Sequence, residues 1–239
     1  MSPSGGPVDR AVLEDLAAAS RILVDQGVFD AAGHVSMRHP DHAQRFLMSR
    51  SLAPQLITAD DIMEFDLDCE PCEAKGRNGF IERYLHGEIF RARPDVMAVA
   101  HSHSPSVIAF GLSGTPMRAM YHNAAFLAAG VPVFDIRQRF GATDIVISTR
   151  EKGAALAAVL ADKPVALLRA HGMVVVAESL AVAVFRAIFT DISARIQHQA
   201  LALGGELTAL DAEEGRLADV VNVQTVGRSW DLWKRRVMK

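Results

Sequence analysis

The sequence predicts a single layered domain in which helices pack on a β-sheet. Its 239 residues suit one large domain, and half of them are hydrophobic, which is enough to build a core. Amphipathic helical segments alternate with short apolar strand-like segments, a pattern typical of α/β or α+β proteins. The sequence has no internal repeat and no long linker, so we expect one domain over 1–239, with a more polar tail from about residue 206.

Charge and composition exclude several classes of protein. The chain has 25 Lys and Arg against 28 Asp and Glu, and this net charge of -3 gives no reason to expect a nucleic-acid partner. Two cysteines are too few for a disulfide scaffold and suit a reducing compartment. The first ten residues lack the pattern of a secretory signal, and no segment reaches about 18 uninterrupted apolar residues. We therefore expect a cytoplasmic protein without membrane contact.

The first third of the chain predicts one helix and three strands. Apolar residues at helical spacing form one stripe from Val12 to Leu23, and Gly27 ends this helix. Three short strand-like segments follow: 34–38, 45–49 and 63–68. Thr58 and Asp61 have the spacing of a helix start, so we expect a brief helical turn before the third strand.

The remaining two thirds predict an alternation of helices and strands. Helices are expected at 82–92, 106–110, 122–129, 151–160 and 179–203, and strands at 96–103, 131–136, 164–169 and 173–177. The last two strands are unbroken apolar runs, typical of strands buried on both faces or of a hairpin that bends at 170–172. Gly204 ends the longest helix. The tail is expected to pack an amphipathic helix on the domain or on a neighbour.

Three histidines and one glutamate carry the strongest chemical signal. His101 and His103 are two residues apart on a predicted strand, so their side chains point the same way. His171 follows an apolar strand, where a polar ring needs a partner, and Glu82 opens a helix. Together they predict a metal site with positions open for a substrate oxygen. Taken singly, each has an ordinary interpretation, as a surface or core histidine or as an acid at a helix N-terminus.

Seven motifs, in order, resemble the class II aldolase/adducin family. They are Gly33–Ser36, Phe46–Ser49, Thr58–Ile62, Glu82–His86, Arg93–Val96, Ala100–Pro105 and Leu168–Gly172. The resemblance covers roughly residues 9–205. It implies a three-layer α/β/α fold around a mostly antiparallel central sheet. It also implies a homotetramer with fourfold symmetry whose active sites lie at subunit interfaces.

The resemblance also assigns roles to the candidate site residues. Carried over to this sequence, it makes His101, His103 and His171 the metal ligands. Glu82 becomes the catalytic carboxylate and a further candidate ligand.

Departures from the sugar-phosphate members of the family favour an aromatic carboxylate as the substrate. Where those aldolases bind phosphate with small polar and glycine residues, this sequence has Phe80–Ile81 and Ser49–Ser51. The fork of Arg50 suits a carboxylate, and the face of Phe80 suits a flat ring. The candidate substrate-binding residues are His34, Ser49, Arg50 and Phe80. For Arg50 the alternative is a solvated loop charge, and for His34 it is a turn cap.

Segments 46–54, 121–122 and 131–136 are similar to the decarboxylase branch of the family. That branch acts on hydroxylated aromatic dicarboxylates and implies a metal-dependent decarboxylase that uses Mn²⁺ or Zn²⁺. The substrate would be 3-hydroxy-2-methylpyridine-4,5-dicarboxylate or 3,4-dihydroxyphthalate. Glu82, or Tyr121 or His122 from a neighbouring subunit, would protonate the ring carbon. The alternatives are a class II sugar-phosphate aldolase or epimerase and an adducin-like module without catalysis, for which lost histidines would be expected.

Overall fold

In the computed structural model, which describes residues 4–238, a seven-stranded sheet lies between two layers of helices. The strands are β1 (His34–His39), β2 (His42–Ser49), β3 (Ile62–Asp66), β4 (Ala98–Ser102), β5 (Val133–Phe134), β6 (Val165–Leu168) and β7 (Gly172–Ala177). The helices are α1 (Arg10–Asp25), α2 (Arg83–Ala92), α3 (Pro105–Ser113), α4 (Arg137–Phe140), α5 (Arg150–Leu160), α6 (Leu180–Leu203) and α7 (Ala212–Val237). Short 3₁₀ segments are Pro54–Leu56, Ala59–Asp61 and His122–Ala129. The predicted α/β/α class is confirmed, whereas the extent of the domain over 1–239 stays a prediction because residues 1–3 and 239 lie outside the described chain.

The sheet is antiparallel except at one edge. Its strand order is β3-β2-β1-β4-β7-β6-β5, and only β5 and β6 run parallel. In the register, His101 on central β4 lies opposite His34 of β1 and Val174 of β7. The end of β4, the start of β1 and the bend between β6 and β7 therefore meet at one end of the sheet.

Each face of the sheet packs against its own helices. Alternate residues of β7 divide between them: Met173 and Val175 pack with α1, α3 and α6, whereas Val174 and Val176 pack with α2 and α5. Strands β6 and β7 are buried along their whole length, which explains the unbroken apolar runs in the sequence. They form an antiparallel hairpin, as predicted.

Two predicted elements differ in the structure. The strand expected at 131–136 is only Val133–Phe134, because it pairs with β6 alone at the edge of the sheet. The helix expected at 122–129 is a 3₁₀ segment with a kink at Ala124, whose φ of -101° and ψ of 20° are not helical. The other predicted helices and strands agree with the structure to within about three residues at each end.

The tail forms a helix that packs on the domain. Helix α7 begins with a capping box in which Asp211 and Glu214 bond each other's backbone N–H groups. Trp230 and Trp233 are partly buried against the core, and Lys234 Nζ lies 2.5 Å from Asp15 Oδ1 on α1. The predicted packed helix is confirmed. None of the helices between residues 4 and 238 combines the length and the apolar character needed to cross a bilayer.

Candidate metal centre and adjoining cavity

Four candidate ligands converge at the end of the sheet where β1 begins. Glu82 is the N-cap residue of α2. His101 lies on β4, and His103 follows that strand directly. His171 lies in the bend between β6 and β7, where Ala170 takes a left-handed φ of 57° and His171 N donates to the carbonyl of Leu168. The pairing of β4 with β7 brings His171 to His101 and His103, from which it is distant in the sequence.

Gly172 allows β7 to approach β4 closely at this end. A Cβ added at this position would lie 1.9 Å from the carbonyl oxygen of Ser102, so no larger residue fits without separating the strands. The close approach holds His171 beside His101 and His103.

The four ligand atoms form one compact cluster. One ligand atom from each of Glu82, His101, His103 and His171 lies within 4.8 Å of all the others. Glu82 Oε2 is 3.4 Å from His101 Nε2 and 3.5 Å from His171 Nε2. The Nε2 atoms of His101 and His103 are 3.2 Å apart. The structure therefore brings together all four residues that the sequence analysis selected as ligands.

Two of the imidazoles are held by hydrogen bonds of Nδ1, the ring nitrogen that is not among the cluster contacts given above. His101 Nδ1 donates to the carbonyl oxygen of Met173 at 2.9 Å, and His103 Nδ1 lies 3.1 Å from Asp30 Oδ2. Burial raises the pKa of Asp30, but hydrogen bonds from two backbone N–H groups and from His103 lower it overall. Its ionised carboxylate accepts a hydrogen bond from His103 Nδ1. His171 Nδ1 is buried and has no hydrogen-bond partner within residues 4–238.

This arrangement fits a divalent transition metal. A carbonyl oxygen only accepts, so a neutral His101 carries its proton on Nδ1 and a lone pair on Nε2; the same holds for His103 beside its carboxylate. Two lone pairs thus face each other, and a cation between them stabilises such a pair. Nitrogens about 2.1 Å from a tetrahedral ion lie about 3.4 Å apart, close to the separations found in the cluster.

Glu82 is held in its ionised form. Its Oε1 accepts the backbone N–H of Ile147 at 2.9 Å, and its side chain is buried. Burial alone raises the pKa of Glu82, but the surrounding imidazoles, His101 foremost, lower it well below its usual range. The carboxylate is therefore available as a ligand or a proton acceptor.

A cavity of about 470 Å³ adjoins the cluster. Glu82 and His103 form the side of the cavity next to the cluster, and much of the remaining wall is apolar or aromatic. Phe80 packs against the ring of His34 with centroids 4.8 Å apart. Burial lowers the pKa of His34, so its ring is neutral at neutral pH. The cavity offers space for one small molecule beside the candidate ligands.

The predicted substrate-binding residues divide into two groups. His34 and Phe80 line the cavity, as expected. Ser49 shares the sheet face that packs on α1, opposite to His34, because side chains alternate along β2. Arg50 directs its Nε to Asp61 Oδ1 at 2.6 Å. A substrate role for Ser49 and Arg50 stays a prediction, and neither lines this cavity within one chain.

Tyr121 and His122 lie apart from the cluster within one chain. Tyr121 packs against Phe189 of α6 with ring centroids 6.0 Å apart, and His122 is exposed. Among the hydrogen bonds, ion pairs and ring contacts of residues 4–238, none joins either residue to the four candidate ligands. Because the sequence analysis assigned them to a neighbouring subunit's site, their catalytic role stays a prediction.

The structure adds residues that the sequence analysis did not assign to the site. Asp30, the carbonyl of Met173 and the N–H of Ile147 orient the candidate ligands, but nothing in their sequence context marks them. His86 lies one turn after Glu82 on the same helix, and that spacing could have indicated it. Ser36 follows His34 by two residues on β1 and so shares its face.

Comparisons with known proteins agree with this architecture. The family model described as Class II Aldolase and Adducin N-terminal domain matches residues 14–198. Decarboxylase tropJ from Talaromyces stipitatus is 34% identical over 239 residues, and 3,4-dihydroxyphthalate decarboxylase from Arthrobacter keyseri is 33% identical over 234 residues. Each match covers 90% of both chains. L-fuculose 1-phosphate aldolase from Glaciozyma antarctica PI12 has a TM-score of 0.78 at 22% identity, covering 98% of this chain and 94% of that one, a likeness that shows the fold alone.

Proposed function

The chain belongs to the class II aldolase and adducin family, and from that premise we propose that it is a metal-dependent decarboxylase of a hydroxylated aromatic carboxylate. The observation that carries the proposal is the cluster of three imidazoles and one carboxylate beside a largely apolar cavity. The predicted resemblance to the decarboxylase branch is confirmed by two relatives that bear that name. Both relatives are named as decarboxylases, and decarboxylases are lyases.

The proposed metal ligands are His101, His103 and His171, with Glu82 beside them. When bound, a divalent metal supplies positive charge that stabilises the negative charge developing on a substrate oxygen as carbon dioxide leaves. Mn²⁺ and Zn²⁺ both suit three imidazoles and one carboxylate, so we propose that the bound ion is one of these two. Asp30 and the carbonyl of Met173 fix the ring orientations and keep the Nε2 lone pairs directed into the cluster.

Glu82 is the proposed proton carrier. Its ionised Oε2 faces the cluster, whereas Oε1 is held by the N–H of Ile147. We expect Oε2 to accept the proton of the substrate's ring hydroxyl. The same proton then passes to the ring carbon as the bond to the departing carboxylate breaks, so no other acid is required. Tyr121 or His122 of a neighbouring subunit is the alternative donor, in an assembly proposed to be a cytoplasmic homotetramer with interfacial sites.

The cavity supports a single-ring substrate. Phe80 and Leu52 provide apolar walls for one face of an aromatic ring, and His34 and Ser51 provide polar contacts at its rim. The name of the Arthrobacter keyseri relative favours 3,4-dihydroxyphthalate. A substrate of similar size, 3-hydroxy-2-methylpyridine-4,5-dicarboxylate, is the alternative. The Nε of Arg50 is paired with Asp61, and its two Nη groups are the proposed donors to a substrate carboxylate.

The test is a comparison of three substrates with and without metal. Purified protein is stripped with EDTA, reloaded with Mn²⁺ or Zn²⁺, and incubated with each aromatic dicarboxylate and with L-fuculose 1-phosphate. Metal-dependent release of carbon dioxide from an aromatic dicarboxylate is the expected result. Aldehyde release from the sugar phosphate would instead establish the aldolase alternative, and absence of both activities would favour the adducin-like module.

A pair of histidine variants tests the metal site. His171→Gln should lose bound metal, measured by elemental analysis, together with carbon dioxide release. His198→Gln changes an exposed histidine on α6 and should keep both. Equal metal content in the two variants would remove His171 from the ligand set. The same elemental analysis of protein prepared without added metal identifies the ion.

A further inference from the structure

A buried chain of three polar side chains lies behind the wall of the cavity. His34 Nδ1 is 2.8 Å from His86 Nε2, and His86 Nδ1 is 2.6 Å from Ser36 Oγ. Ser36 and His86 are 0% exposed, and His34 is 2% exposed. The other ring nitrogen of His34, Nε2, lies 3.8 Å from Glu82 Oε2, and His34 and Glu82 both line the cavity. His86 and Ser36 neither line the cavity nor belong to the cluster of candidate ligands.

One direction of hydrogen bonding gives both hydrogen bonds of this chain a donor and an acceptor, and it leaves a proton on His34 Nε2. The Ser36 hydroxyl donates to His86 Nδ1, His86 Nε2–H donates to His34 Nδ1, and His34 Nε2–H points towards the Glu82 carboxylate. The reverse direction leaves the Ser36 hydroxyl proton without an acceptor within residues 4–238. It also turns the His34 lone pair towards a negative charge. A buried donor without an acceptor loses its hydrogen bond to water and gains none in return, so the first direction is favoured.

We propose that Ser36 and His86 are positioning residues that hold His34 as its Nε2–H tautomer and present that N–H to a substrate oxygen in the cavity. The substrate contact rests on the proposed function, which brings the substrate's ring oxygen to this wall, and this oxygen gains negative charge as carbon dioxide leaves. The tautomer does not rest on it, because the contacts that set it lie within the protein. A fixed donor aimed at an oxygen that gains negative charge stabilises the transition state more than the substrate.

The geometry supports a fixed donor rather than a path for protons. The chain ends at Ser36, which is fully buried, so solvent cannot resupply a proton from that end. The His34 ring is also held by packing, with Phe80 on one side and His101 at 5.0 Å between ring centroids on another. His34 therefore keeps one orientation and one tautomer through the reaction.

Nitrogen-15 NMR of the histidine rings tests the tautomer directly. The sample is full-length protein without metal or substrate, and loss of a signal in His34→Gln assigns His34. Wild-type His34 should show a protonated Nε2 and an unprotonated Nδ1. Ser36→Ala removes the terminal donor and should give a mixture of tautomers, whereas Ser36→Thr keeps the hydroxyl and the wild-type pattern. A protonated Nδ1 in the wild type, or an unchanged pattern in Ser36→Ala, overturns the proposal.

Kinetics of the metal-loaded enzyme test the consequence for catalysis. Ser36→Ala should lower kcat about tenfold with little change in KM, because the lost contact acts on charge that develops only in the transition state. Ser36→Thr should restore kcat. Ser20→Ala is the matched control, since it removes a buried hydroxyl that bonds Leu16 O on α1. An equal loss of kcat in Ser36→Ala and Ser20→Ala contradicts positioning.

Two variants of His86 test the positioning of His34 without changing Ser36. His86→Gln retains an N–H donor for His34 Nδ1, whereas His86→Phe does not, so kcat should fall further in His86→Phe. Equal kcat values for the two variants would overturn the role of His86. If the wild type releases no carbon dioxide from any aromatic dicarboxylate, the proposed function fails, while the NMR result still decides the tautomer.

Discussion

Replacing Gly172 by alanine should damage the metal centre without changing any ligand. Gly172 begins β7 directly after His171 and lies against β4. A Cβ here would be 1.9 Å from the carbonyl oxygen of Ser102 and 2.9 Å from its carbonyl carbon, whereas real Cβ contacts essentially never fall below 3.0 Å. Because the obstacle is backbone, which cannot rotate aside, the strands must separate by roughly 1 Å at this point.

That separation moves His171 away from His101 and His103. A displacement of about 1 Å can lower a catalytic rate about 100-fold, so we expect a loss of that order in kcat. The dissociation constant of the metal should rise about 10- to 100-fold, the range seen when the support of a ligand is lost. Forcing the extra methyl group into the hairpin should also lower the free energy of unfolding by about 1–3 kcal/mol.

Three measurements on the Gly172→Ala protein check these values. Titration of metal into stripped protein gives the dissociation constant, carbon dioxide release gives kcat, and urea denaturation gives the free energy of unfolding. Gly111→Ala is the control, because its added Cβ would lie 3.5 Å from Leu168 O, an ordinary contact on the same hairpin. Wild-type metal affinity and kcat in Gly172→Ala would refute the reasoning.

Three further predictions concern Glu82, acid stability and a buried arginine. Glu82→Gln should lower kcat by about 100-fold or more, whereas Glu88→Gln, at another buried carboxylate of the same helix, should leave it unchanged; initial rates of carbon dioxide release decide. Burial lowers the pKa of His101 from 6.5 to about 4, so the folded protein binds fewer protons than the unfolded chain between these values. Metal-free protein should therefore be most stable above pH 6.5, and its free energy of unfolding should fall by roughly 3 kcal/mol as the pH is lowered to about 4. Equal urea midpoints at about pH 7.5 and 4.5 would contradict this expectation. Arg38→Met should lower the free energy of unfolding by about 3 kcal/mol, because Arg38 donates to the buried carbonyls of Phe90 and Arg93 at the end of α2; an unchanged urea midpoint would argue against it.

Local patterns in the sequence were sufficient to predict most of the elements, whereas the roles of the four candidate ligands came from the resemblance of ordered motifs to the family. The spacing of His101 and His103 fixes their common face, and unbroken apolar runs identify β6 and β7. The orienting contacts of Asp30 and Met173 could not be predicted, because they join segments that are distant in the chain.

The substrate roles of Ser49 and Arg50 stay predictions. Ser49 and Arg50 were selected because they replace residues of a loop, but a loop position does not specify direction. The alternation along β2 places Ser49 on the far face of the sheet, and a local ion pair with Asp61 holds Arg50. The 3₁₀ segment at 122–129 was predicted as a regular helix because its apolar residues fit either type.

The dispersal of the candidate ligands from residue 82 to residue 171 has a consequence for how the holoenzyme matures. No short peptide of this chain contains the complete coordination set, so an ion cannot nucleate folding as it does in a zinc finger. The sheet must assemble first, and an ion bound at this candidate site would be captured as a late event. Added metal should accordingly slow unfolding and raise the melting temperature, while leaving the early steps of refolding at the rate of the apo chain.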